Sequence, residues 1–193
     1  MQVHKWEFVI LQWKSGSGKS TLVKLILGEL AIPKKAVFFD WDDVGGFNWN
    51  QIQDLRRKIW VVFQDYKIFE DQTVMENIIL PMEIAWFGSH TLEARCKNAL
   101  QLVNLEDKLN EKMRYLSWWE KQKVAIARAL VTNPTMIIAD EPTWNLDPEN
   151  SKIIANTLIA LNKENMTVLL ISHDTNLIEY VSANTNWSKI SLQ

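Results

Sequence analysis

The amino-acid sequence predicts an α/β fold: a mostly parallel sheet with a helical lobe set into it. Three observations carry this. Short, continuous apolar runs recur along the chain, as strands buried on both faces require. Stretches of helical spacing alternate with them, the signature of parallel strands joined by crossover helices. Between about residues 71 and 131 the strand signals give way to helix formers, with Pro81 and Gly88 as punctuation.

Phe8-Val9-Ile10-Leu11 is the first apolar run and reads as a buried strand. A Gly/Ser loop follows, then Ser20 to Leu27 with helical spacing, closed by Gly28. Lys35 to Asp40 and Lys58 to Gln64 read as two further strands. Residues 71–113 form most of the lobe. Glu120 to Val131 is a strong helix, with Val124, Ile126, Ala127 and Leu130 on one side. Thr135 to Ala139 is a buried strand with Asp140-Glu141 at its end. Ser151 to Leu161 is an amphipathic helix, and Thr167 to Ser172 a last buried strand ending at His173. In a parallel sheet, ligands bind beyond the carboxyl ends of the strands. Lys19, Asp140-Glu141 and His173 all follow such ends.

Composition narrows the function. The 193 residues suit one domain, expected to span 1–193, and 47% of them are hydrophobic, enough for a core. The formal net charge of −2 argues against a nucleic-acid binder. Cys96 is the one cysteine, so no internal disulfide forms; it reads as a small apolar residue. No apolar run approaches the roughly 18 residues of a membrane span, and no secretory leader is visible at the start. A cytoplasmic location is expected.

The chemistry lies in five motifs. Trp13-Lys14-Ser15-Gly16-Ser17-Gly18-Lys19-Ser20 fits the phosphate loop GxxxxGK[ST], except that tryptophan holds its first position. After a buried strand and before a helix, its backbone N–H groups would cradle phosphates, helped by the helix end and by Thr21. Lys19 would neutralise phosphate charge and Ser20 would ligate Mg²⁺. A plain Gly/Ser turn is the bland alternative. Asp140 would hold Mg²⁺, and Glu141 would act as general base toward water. A helix N-terminus also favours acids, so this pair gains its meaning only beside Lys19. His173, in Ile171-Ser172-His173-Asp174, and Gln64, in Val62-Phe63-Gln64-Asp65, each follow a strand. Leu116-Ser117-Trp118-Trp119-Glu120-Lys121-Gln122 and Glu141-Pro142-Thr143-Trp144-Asn145-Leu146-Asp147 complete the set.

With glycine at 118, 119 and 144 these last two would read LSGGEKQ and EPTGNLD. The chain therefore resembles the ATP-binding-cassette (ABC) ATPases over nearly its whole length, with the motifs in the right order. That resemblance implies a P-loop NTPase fold of ABC type, lacking a strand and an adenine-stacking aromatic that the family carries upstream of residue 1. It implies ATP hydrolysis with Mg²⁺, the metal being met by Ser20, Gln64 and Asp140. Glu141, His173 as the switch histidine, and Gln64 would be catalytic. It also implies a head-to-tail homodimer with ATP sandwiched between copies. Ser117, Trp118, Trp119 and Glu120 would form the loop that caps the partner's γ-phosphate, and Asp147 would lie at the dimer seam.

Within the family, Val62-Phe63-Gln64-Asp65-Tyr66 and Thr73-Val74-Met75-Glu76-Asn77-Ile78 resemble the FtsE group, cell-division ATPases that pair with the membrane protein FtsX. LolD and MacB-type export ATPases are the alternative. The resemblance implies a peripheral place on the inner face of the cell membrane, with the partner docking near Tyr66, Phe69 and Ile78. Soluble ABC proteins of translation or DNA repair usually carry two cassettes or long coiled coils, and this chain has neither.

Tryptophan is abundant and glycine scarce: 10 against 6, where average usage expects roughly 14 glycines. Trp13, Trp118, Trp119 and Trp144 occupy motif glycine positions. Trp6, Trp41, Trp60 and Trp86 read as further glycine-like sites; Trp49 and Trp187 are left unassigned. A non-glycine residue forced into a glycine backbone costs about 1–3 kcal/mol, so eight such sites would endanger a domain stable by about 5–15 kcal/mol. Two explanations stand. Either UGA codons for glycine have been read as tryptophan, or the tryptophans are real and the chain is a non-hydrolysing ABC-like adapter.

Overall fold

The computed structural model describes residues 2–12, 18–63, 68–84 and 88–191. Strand β1 (Phe8–Gln12) leads to α1 (Lys19–Ile26). A two-stranded hairpin, β2 (Phe38–Phe39) and β3 (Asp42–Asp43), precedes α2 (Trp49–Lys58) and β4 (Ile59–Val62). Three lobe helices follow: α3 (Val74–Ile84), α4 (Ser89–Leu102) and α5 (Trp118–Leu130). The chain then runs through β5 (Met136–Asp140), α6 (Pro148–Lys163), β6 (Thr167–Ser172), α7 (Thr175–Asn184) and β7 (Trp187–Ser191).

The main sheet has the order β4-β5-β6-β1-β7, and every pairing in it is parallel. Its strands β1, β4, β5 and β6 are mainly apolar because both faces are covered. Phe8 and Ile10 point into one core with Leu158, Leu170 and Leu177, under α6 and α7. Val9 and Leu11 point into the other with Val23, Leu55 and Ile138, under α1 and α2. A third core lies in the lobe, where Val74, Ile78, Met82, Leu100, Met113 and Ile126 are completely buried. It reaches Ile137 of the sheet through α5, whose residues from Lys121 to Leu130 are all buried.

The register decides where the site forms. Gln12 lies opposite Ser172, Asp140 opposite Ile171, and Val62 opposite Ala139. Four strands thus finish along one edge. Gly18 caps α1 at φ 96, a left-handed conformation that glycine adopts without strain. Gly28 ends the same helix turn at φ 63, and a Cβ there would stand 2.5 Å from Ile52 Cδ1.

The expected strand over 35–40 is only two residues long. Asp40 and Trp41 both take positive φ, 48 and 73, and fold the chain back into β3, the geometry of a two-residue hairpin loop. Helix α5 starts two residues before the expected Glu120, because Ser117 caps it. Helices α2 and α7 and strand β7 were not expected. The backbone strain expected at eight tryptophans is a correction: of the tryptophans among the described residues, Trp6, at φ 66, and Trp41 alone have positive φ. Trp118, Trp119 and Trp144 do not, and Trp60 sits in ordinary strand β4, packed against the lobe core. Trp13 and Trp86 lie outside the described residues.

Candidate active site at the carboxyl edge of the sheet

Glu141 is the centre of the site. It follows β5, is buried to 4% exposure, and has a positive φ of 46. Such a backbone costs about 1–3 kcal/mol in a non-glycine residue and persists only where its surroundings hold it. Here they do. Its N–H donates to the Ile171 carbonyl at 2.9 Å. Lys19 Nζ donates to Oε1 at 2.7 Å, Ser172 Oγ donates to Oε2 at 3.0 Å, and His173 Nδ1 makes a short contact with Oε1. Helix α1 brings Lys19, and the end of β6 brings Ser172 and His173. Burial alone would raise the Glu141 carboxyl, but the hydrogen bonds from Lys19 and His173 and the lysine charge hold it below its ordinary value.

Asp140 behaves oppositely. Burial pushes its carboxyl up; Lys19 works against that push and Glu141 adds to it. Its Oδ1 is buried and has no hydrogen-bond partner. An orphaned carboxylate oxygen near the Lys19 ammonium fits a hard divalent cation. No group of three or more His, Cys, Asp or Glu that could hold a metal occurs among the described residues. Mg²⁺ does not need one, since it takes one or two carboxylates together with substrate phosphates.

The other predicted residues sit at helix ends. Ser117 Oγ accepts from Glu120 N at 3.4 Å while Glu120 Oε2 accepts from Ser117 N at 2.8 Å, a reciprocal cap on α5. Trp118 and Trp119 are the first two residues of that helix. Lys121 Nζ stands 5.4 Å from the Trp118 ring centroid, and Lys123 Nζ 5.0 Å from that of Trp119. Asp147 caps α6, accepting from Glu149 N and Asn150 N at 3.0 Å each. Trp144 faces His173, ring centroids 6.1 Å apart. Thr21 lies exposed on α1. Trp13, Lys14, Ser15, Gly16, Ser17, Gln64, Tyr66 and the Ser20 side chain lie outside the described residues.

Beside β4, a cleft of about 810 Å³ opens between α2 and the lobe, lined by Trp49, Trp60, Phe69, Leu80, Pro81 and Ile84. The expected docking residue Ile78 is a correction: it is fully buried in the lobe core and meets nothing outside. Phe69 does face the cleft, and Ile84, 70% exposed, lines it as well. Sequence reasoning also missed Ser172 and Asn77. The buried Asn77 holds the backbone of Phe69 by accepting from its N–H at 2.8 Å and donating to its carbonyl at 3.0 Å. Its signal was a polar residue inside an otherwise apolar helix face.

This geometry can be set against known proteins. Residues 1–144 match the family model described as ABC transporter. The chain belongs to the ABC transporter family. Among curated relatives, the cell division ATP-binding protein FtsE of Streptococcus pneumoniae D39 is 39% identical over 183 residues, covering 92% of this chain and 77% of that protein. FtsE of Bacillus subtilis strain 168 is 37% identical, covering 91% of this chain and 77% of that protein. The methionine import ATP-binding protein MetN of Rhizobium meliloti is 38% identical, but the match takes in 48% of its length and 89% of this chain. Among solved structures, the dimeric ATP-binding cassette MJ0796, in a post-hydrolysis state bound to ADP and Pi, superposes with a TM-score of 0.77 at 32% identity, covering 93% of this chain and 80% of that one. The chain is an ABC ATP-binding subunit, FtsE-like by similarity, and an ATPase of that type.

Proposed function

We propose that residues 1–193 form one nucleotide-binding cassette that pairs head to tail with a second copy and hydrolyses ATP between them. The observation that supports this most is the convergence of Lys19, Ser172 and His173 on the buried Glu141, beside the unpartnered Asp140. The loop 13–20 and Thr21 embrace the phosphates, and Lys19 leaves Glu141 for them. The freed Glu141 carboxylate accepts a proton from the attacking water, with Gln64 orienting that water and His173 facing the γ-phosphate. Ser20, Gln64 and Asp140 would hold Mg²⁺, which offsets phosphate charge when bound. Ser117 to Glu120 of the second copy close over the nucleotide, and Asp147 lies at the seam.

The cassette works from the inner face of the cell membrane, driving an FtsX-like subunit in cell division. The FtsE similarity and the apolar cleft around Phe69 and Ile84 support that partner. No helix among the described residues is long and apolar enough to cross a membrane. The MetN similarity favours a second reading, an importer subunit. Reconstitution tests the choice. Turnover of ATP should rise in vesicles holding an FtsX-type protein and stay at its basal rate with the membrane subunit of a methionine importer. The reverse pattern would favour the importer.

A further inference from the structure

Tryptophan stands in this structure mostly at the surface. An indole is among the largest apolar side chains a core can bury, and tryptophan is highly buried on average. Of the eight tryptophans among the described residues, none is buried. Trp6, Trp41, Trp49, Trp118 and Trp144 are 64%, 91%, 74%, 63% and 46% exposed.

Two of them also have the wrong backbone. Trp6 and Trp41 hold φ of 66 and 73. Most other positive-φ residues in the chain are Asn or Asp, namely Asp40, Asn104, Asn133, Asn145 and Asn165, which tolerate that region where bulky side chains do not. Trp41 is the second residue of a two-residue hairpin loop after Asp40, where Asp-Gly is favoured. Trp118 and Trp119 open α5 behind its cap, at the positive end of a helix that can bind an anion through bare N–H groups. Trp13 holds the first glycine position of the phosphate loop.

We propose that the residue inserted at positions 6, 13, 41, 118, 119 and 144 in the living cell is glycine, each codon being UGA decoded as glycine. Trp60 is left out because it packs against the lobe core in ordinary strand conformation. Trp49 is a normal first residue of α2. The consequence rests on the ATPase reading above: glycine at 118 and 119 gives the start of α5 an open backbone face for the second copy's γ-phosphate, which two indoles would cover.

Tryptic peptides of the protein from its natural source decide the matter. Ala36–Arg56 reports position 41, and Tyr115–Lys121 reports 118 and 119. Glycine at all three is the expected result, and tryptophan at any of them overturns the proposal. The coding DNA is a second, independent test: UGG at these codons also overturns it. Residue identity does not depend on activity, so the two readings fail separately. If the peptides carry glycine and a recombinant glycine chain still does not turn over ATP, recoding stands and the ATPase reading falls.

Discussion

The edge around Glu141 and the start of α5 are both polar ends of regular elements, yet they are built differently. At the first, a buried carboxylate in a strained backbone is held by Lys19, Ser172 and His173. At the second, Ser117 and Glu120 satisfy one another, and the next two side chains stand at the surface. In the first region the carboxylate, the Lys19 ammonium and the histidine already touch within one chain. The second offers only a capped helix end, which has chemical use when another molecule supplies the anion. Under the proposed head-to-tail pairing, such an end is surface in one copy and part of the site in two.

The comparison breaks most visibly at Glu141. Glu141→Gln keeps the hydrogen-bonding shape but removes the base, so ATP turnover should fall about 10²–10⁴-fold while nucleotide binding, followed by a fluorescent ATP analogue, persists. Retained turnover would show that the base lies elsewhere. At the other region, Trp118→Gly with Trp119→Gly should raise the turnover of the tryptophan-bearing chain roughly 10²-fold, the size of effect of restoring backbone donors to a developing anion. An unchanged rate would mean the indoles never obstructed it.

Smaller effects sharpen the contrast. Asn77→Ala removes the side chain that holds Phe69 and should cost about 1–3 kcal/mol in denaturant unfolding, with partner stimulation reduced more than basal turnover. Trp41→Gly relieves the hairpin turn and should add about 1–3 kcal/mol by the same measurement.

Acid titration separates the two adjacent carboxylates. Glu141 is held below its ordinary 4.5, so its contribution to stability is present above that pH and is lost as pH falls through the folded value. Asp140 is raised above 3.8, so its contribution is present below that pH and is lost as pH rises through the folded value. Glu141→Gln should therefore lose less stability than the parent on acidification, and Asp140→Asn more. Parallel pH profiles for the two variants would refute the opposite shifts.

The legible parts of the fold share one property. Phe8–Leu11 and Val168–Ile171 are apolar without interruption because helices cover both faces of the sheet, and a continuous run is visible in one dimension. Helix α2 fully buries Leu55 alone, with Ile52 half-buried against the same core and mostly polar residues around them, so it left little stripe to read. Asp140, Glu141 and His173 were legible because they stand at or directly after the end of an apolar strand, and Lys19 because it closes the GxxxxGK[ST] pattern that follows one. Ser172 was hidden, since a serine at a strand end has no chemistry of its own until Glu141 is beside it. Ile78 misled because helical spacing shows that a residue is apolar but not which neighbour covers it; α3 turns it into the lobe core, and Ile84, farther along the helix, reaches the cleft instead.

Taken alone, the order of residues determined the alternation of strands and helices, the phosphate loop and the identity of the chemical groups. These are local properties of spacing and side-chain type. The tertiary structure decided the register that ends four strands on one edge, and with it the meeting of Lys19 and Glu141 across 122 positions of chain. It also decided which tryptophans sit in strained turns and which merely face solvent. Such outcomes depend on through-space packing and on the backbone each neighbour imposes, and neither is written in any single stretch of residues.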